Sequence, residues 1–110
     1  MDKPDLRRHQ RVLVPSGHTM RVHTNNGGPP FEGMVTVIGL GGMFIRTENP
    51  EPPGTVLTLR LEDPVAAFDS QCTVRHVAEN GMGVEITNIS AHDEQRLRFL
   101  VGQLKGEVTG

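Results

Sequence analysis

A single change of period divides this chain. Before Ser90 apolar residues recur at every second position in short runs, each broken by Gly, Pro or Asn after roughly ten residues. From Leu97 onward they recur at i, i+3, i+4 and i+7. From His18 to Thr24, Met20 and Val22 oppose Thr19, Arg21 and His23, the alternation of a half-buried strand. Asn25-Asn26-Gly27-Gly28-Pro29-Pro30 ends it, because Asn and Gly tolerate left-handed backbone and proline cannot donate to a sheet. A second run, Met34 to Ile38, meets Gly39, Gly41 and Gly42 and resumes at Met43-Phe44-Ile45-Arg46, which reads as strand, tight turn, strand. Asn49-Pro50-Glu51-Pro52-Pro53-Gly54 is a loop. Thr55 to Leu61 alternates cleanly, with Leu57, Leu59 and Leu61 on one face. Gln71 to Ala78, the turn Glu79-Asn80-Gly81 and the return Gly83 to Ile86 form an antiparallel hairpin.

In the last segment Leu97, Leu100, Val101 and Leu104 make one apolar helix stripe. Ser90 is its N-cap, Asp93 the capping partner, Glu94 and Arg98 an i, i+4 pair, and Gly106 its stop. Strands followed by one helix, in 110 residues, describe a single mostly-β domain. The 12 Val and 9 Thr suit strands, and the spacing fits a small barrel or a sandwich with the helix over an open end.

Charge narrows the partners. The formal net charge is −2, so no global basic field exists to hold duplex nucleic acid or an anionic membrane. Positive charge gathers at the start, where Lys3, Arg7, Arg8 and Arg11 face only Asp2 and Asp5. No apolar run approaches the length of a membrane span, and MDKPDLRRHQ lacks the hydrophobic stretch of a secretory signal. The lone Cys72 can form neither an internal disulfide nor a thiolate zinc site. The expectation is a soluble cytoplasmic protein with no membrane insertion.

Catalysis finds no support. The cluster Gly39-Leu40-Gly41-Gly42-Met43-Phe44 has Phe44 where a dinucleotide fingerprint needs glycine, a strand where it needs a helix, and no P-loop lysine. Its three glycines are read as supplying positive φ to a turn. His9, His18, His23, His76 and His92 show no metal-ligand spacing. Cys72 and His76 share a face of an unbroken strand but lie roughly 13 Å apart, too far for a nucleophile and its base. Cys72, Met34, Met43 and Met82 are read as core, Asp63 and Asp69 as loop residues. What stands out is Arg7-Arg8-His9-Gln10-Arg11, because guanidinium forks pair with phosphate oxygens and with the O6/N7 edge of guanine.

Arg7-x-x-x-Arg11, a small-residue turn leading into Gly42-Met43-Phe44-Ile45, a hairpin returning through Gly81-Met82-Gly83-Val84-Glu85-Ile86, and a terminal helix together resemble the PilZ family of bacterial cyclic di-GMP receptors. The likeness runs from about Leu6 to Leu104. It implies a six-stranded antiparallel β-barrel with one C-terminal α-helix, divided into a flexible arginine segment at 1–12 and a barrel with its helix at 13–106. The family's ligand site combines an RxxxR segment with a [D/N]xSxxG turn. Arg7 and Arg11 match the first, with Arg8 beside them. The second falls on Val37-Ile38-Gly39-Leu40-Gly41-Gly42, where Val37 replaces Asp or Asn, Gly39 replaces Ser and Gly42 alone matches.

The resemblance therefore implies ligand contacts at Arg7, Arg8, Arg11, Val37, Gly39 and Gly42, no metal, and no cofactor besides the ligand cyclic di-GMP. It implies a non-enzymatic effector or adaptor whose arginine segment changes on binding and signals to an unidentified protein target. Each lost side-chain contact leaves a ligand group unpaired at about 1–3 kcal/mol, so affinity is expected to fall below that of a full-motif relative. The alternative is a degenerate protein-interaction module, acting in motility through pili or flagella, that does not bind nucleotide.

Overall fold

The computed structural model describes residues 11–15, 19–24 and 32–109. Its elements are β1 (Arg11–Leu13), β2 (Arg21–Thr24), β3 (Glu32–Gly39), β4 (Gly42–Arg46), β5 (Val56–Glu62), β6 (Ala67–Ala78), β7 (Gly81–Asn88) and α1 (Ala91–Thr109). Every strand pairing is antiparallel. The order β3-β2-β5-β6-β7-β4 returns to β3 through the β3–β4 pairing, giving a closed six-stranded barrel with β1 as an extra strand and one C-terminal helix. Closure removes the free edges that a sandwich leaves.

β1 and β2 occupy successive stretches of the same edge of β3: Arg11 to Leu13 pair with Gly39 to Val37, and Arg21 to His23 with Met34 to Glu32. Between them the Val14 N–H donates to the Thr36 carbonyl and the Val35 N–H to the Met20 carbonyl, both at 2.9 Å. Pro15 has no N–H, so the chain leaves the ladder there and rejoins it at Met20. The strand expected over His18 to Thr24 is thus β2, with His18 outside the described residues and Met20 and Val22 facing inward as the alternation requires.

Met20, Val22, Val35, Ile38, Met43, Ile45, Leu59, Leu61, Phe68, Cys72, Val74, Met82 and Val84 fill the barrel. The helix stripe Leu97, Leu100, Val101 and Leu104 joins the same core, and α1 packs against β6 and β1. Burial of each such side chain contributes about 1.5–3 kcal/mol. The Ser90 hydroxyl accepts the Asp93 N–H at 3.0 Å and donates to its carboxylate at 3.1 Å, so the helix starts where the sequence indicates. Arg98 and Glu94 pair at 3.1 Å.

Four expectations fail. α1 does not stop at Gly106 but runs to Thr109, because glycine permits a left-handed cap without compelling one. Asp69 is a strand residue rather than a loop residue: β6 begins at Ala67, and Asp69 pairs with Arg60 at 3.0 Å across the β5–β6 ladder. Met34 lies across from Arg21 and Arg46 on the outer face, half-buried and outside the core that Met43 and Met82 join. Finally, His76 does not share a face with Cys72, because β6 carries a bulge between Val74 and His76.

Candidate functional site

Two bulges decide what the outer wall of the barrel presents. In β3, Val35 pairs with Ile45 and Val37 with Phe44, leaving Thr36 as the extra residue. In β6, Val74 pairs with Val84 and His76 with Gly83, leaving Arg75 as the extra residue. An unpaired residue reverses the alternation beyond it. His76, opposite Gly83, thus takes the outward phase beside Arg75, and both side chains are exposed on the outer wall.

Across that wall, Arg11 on β1 lies opposite Gly39 on β3, Leu13 opposite Val37, and Val37 opposite Phe44 on β4. Gly42 lies opposite Glu85 on β7, and Phe44 opposite Gly83. These residues other than Leu13, with Arg75 and His76, line one groove of about 680 Å³, a size suited to a small ligand. Glycines at 39, 42 and 83 form part of its floor, and Gly39 and Gly83 are buried.

The glycines answer a need for close approach rather than for positive φ. Among the described residues only Gly54 has positive φ, at 94°, which overturns the expectation for Gly39, Gly41 and Gly42. A Cβ on Gly42 would collide with the Val84 carbonyl oxygen, and one on Gly83 with the His76 ring. The short connection after β3 is tied down by the Ile86 N–H, which donates to the Gly41 carbonyl at 2.9 Å.

Over this floor the Phe44 and His76 rings stand 6.1 Å apart between centroids and tilted by 32°. Arg75 reaches across to β7, where its Nε donates to Glu85 Oε1 at 2.7 Å and its Nη2 lies 2.6 Å from the same oxygen in an ion pair. Both side chains are about half exposed, so the pair adds at most about 1 kcal/mol to stability. Its interest is positional: one cation and one carboxylate are fixed at the groove wall opposite Arg11.

Of the residues singled out in the sequence, the structure brings Arg11, Val37, Gly39 and Gly42 to this groove. Arg7 and Arg8 lie outside the described residues. The sequence reading missed Phe44, Arg75, His76 and Glu85 as groove residues. A signal was there: apolar residues at 72 and 74 followed by one at 77 break the strand period and mark the bulge. Cys72 lies outside the groove; burial pushes its thiol up to about 11 while a hydrogen bond from Ser70 works against this, and the group stays a core thiol at neutral pH. No group of three or more His, Cys, Asp or Glu among the described residues is placed to hold a metal ion. No described helix is long and apolar enough to cross a membrane.

Comparison with known proteins places this barrel. The PilZ domain model matches residues 5–103, and the chain belongs to the PilZ domain family. Among solved structures it is similar to the PilZ domain with c-di-GMP of YcgR from Escherichia coli, at 15% identity over 94% of this chain and 95% of that one, with a TM-score of 0.77. It is also similar to the K. pneumonia MrkH–c-di-GMP complex, at 15% identity over 96% and 55% of the two chains and a TM-score of 0.82. The Bacillus subtilis inhibitor of motility MotI/DgrA aligns at 17% identity over 96% and 54%, with a TM-score of 0.73. The chain spans about half the length of the MrkH and MotI chains. No curated protein sequence matches it significantly. At these identities the solved structures establish the shared fold.

Proposed function

We propose that this protein is a cytoplasmic, non-enzymatic receptor for cyclic di-GMP, which binds in the outer groove and is covered by the arginine segment ahead of β1. The observation that carries the reading is the convergence of Arg11, the last residue of the arginine motif, with Val37, Gly39 and Gly42 on one groove. A cyclic dinucleotide offers two phosphates and two guanine edges. Arg11 and Arg75 supply planar forks for either, and Arg7 and Arg8 lie within four residues of Arg11 along the chain. Phe44 and His76 offer ring faces to a base. The relatives whose structures contain c-di-GMP, YcgR and MrkH, support the ligand class. Folding of the arginine segment over the ligand gives the bound state a surface that the free state lacks, and a protein target reads that difference.

The test is a calorimetric titration of the Arg7→Ala/Arg11→Ala variant beside the unmodified chain. Loss of two charge-assisted contacts weakens binding by about 100-fold or more, with the thermal midpoint unchanged. Undiminished affinity in that variant overturns the proposal.

One observation favours a second reading, a module that binds protein and no nucleotide. Val37 lies between Leu13, which is 71% exposed, and Phe44, so an apolar row stands where the family pattern has a polar side chain. On this reading Val37→Asp with Gly39→Ser creates nucleotide binding where none existed. On the first it strengthens binding already present.

A further inference from the structure

Guanine's Watson–Crick edge presents two neighbouring donors, N1–H and the exocyclic N2 amino group, and a site that reads this edge must offer an acceptor there. Val37 has none, and neither has Gly39. Among the described residues lining the groove, Glu85 is the only carboxylate. It lies directly opposite Gly42, where β4 and β7 approach too closely to admit a side chain. Arg75 engages it through one hydrogen bond from Nε and an ion-pair contact from Nη2, both on Oε1, and no hydrogen bond reaches Oε2 among the described residues. The carboxylate is thus held in place with one oxygen uncommitted.

We propose that Glu85 is the base-reading acceptor of this protein, with its Oε2 accepting from the guanine N2 amino group and Arg75 acting as the residue that positions it. This rests on the cyclic di-GMP reading and names what confers guanine specificity in a groove whose turn has lost its polar side chains. The charge also explains how an acceptor is kept beside an anionic ligand: Arg75 neutralises Glu85, and Arg11 leaves the groove lining net positive.

Cyclic di-IMP separates this from a charge effect, because inosine lacks the N2 amino group and keeps the phosphates, the N7/O6 edge and N1–H. The full chain, Glu85→Ala and Glu85→Gln are titrated with cyclic di-GMP and cyclic di-IMP. The unmodified protein prefers the guanine ligand by about 10-fold, and Glu85→Ala brings that ratio close to one, whatever the freed Arg75 does to overall affinity. Glu85→Gln, which retains one carbonyl acceptor, gives an intermediate ratio. A preference that survives in Glu85→Ala, or its absence from the unmodified chain, overturns the role of Glu85 alone. Failure of the unmodified chain to bind either nucleotide overturns the receptor reading and this role together.

Discussion

The barrel wall carries two depressions of similar size, and they differ in what their strands leave uncovered. The larger, about 790 Å³, is lined by Arg21, Val22, His23, Thr24, Glu32, Gly33, Met34 and Glu62 on β2, β3 and β5. Its charges are already engaged in a surface ladder: His23 and Arg60 each lie 3.7 Å from Glu62, and Arg60 reaches Asp69 at 3.0 Å. Acidic groups outnumber arginine in its lining, so a dianion meets repulsion there. The groove of Arg11 and Arg75 has the opposite balance, a floor of glycines and two rings beside it. Volume therefore does not choose the binding site; the balance of charge and the two rings do. The bulges at Thr36 and Arg75 build that contrast, since they re-aim side chains on the second wall.

Three variants sharpen or break this contrast, beginning with the largest effect. Gly83→Val pushes the His76 ring off the groove floor and is expected to weaken cyclic di-GMP binding by about 30-fold, with a stability loss of about 1–2 kcal/mol in urea denaturation. Full affinity in this variant removes the glycine floor from the account. Restoring polar side chains with Val37→Asp and Gly39→Ser is expected to tighten binding by about 10-fold, since each new contact is worth about 1 kcal/mol and part of the gain is lost to ordering; calorimetry measures it. At the other depression, Arg21→Ala is expected to change nucleotide affinity by less than about twofold, and a larger loss would move the site across the barrel.

Much of the fold was legible because strand and helix periods are local properties of sequence. The Thr55 to Leu61 alternation became β5, and the Leu97, Leu100, Val101 and Leu104 stripe became the buried face of α1. Barrel closure was not legible from period alone, since it depends on β3 meeting β4 on one edge and β1 with β2 on the other. The family resemblance supplied it. Asp69 was misplaced because the strand pattern was taken to begin at Gln71, whereas Phe68 and Ser70 already face the core.

The site divided along the same line. Arg11, Val37, Gly39 and Gly42 were found through motif spacing, which survives in sequence even where the side chains have changed. Arg75 and Glu85 were not, because they meet only through a cross-strand register that a bulge alters. His76 illustrates the physical reason: one extra residue turned a side chain expected on the strand face of Cys72 into part of the outer groove, packed against Gly83.

The central claim is that this altered PilZ groove still binds a guanine dinucleotide. Calorimetric titration of the full chain with cyclic di-GMP at physiological salt, with cyclic di-AMP as control and EDTA present, tests it most directly. The account predicts saturable, metal-independent binding selective for the guanine ligand. No heat at several hundred micromolar ligand, with unchanged amide NMR signals from Gly39, Gly41, Gly42 and Gly83, would contradict it and leave the apolar row of Leu13, Val37 and Phe44 as a surface for protein contact.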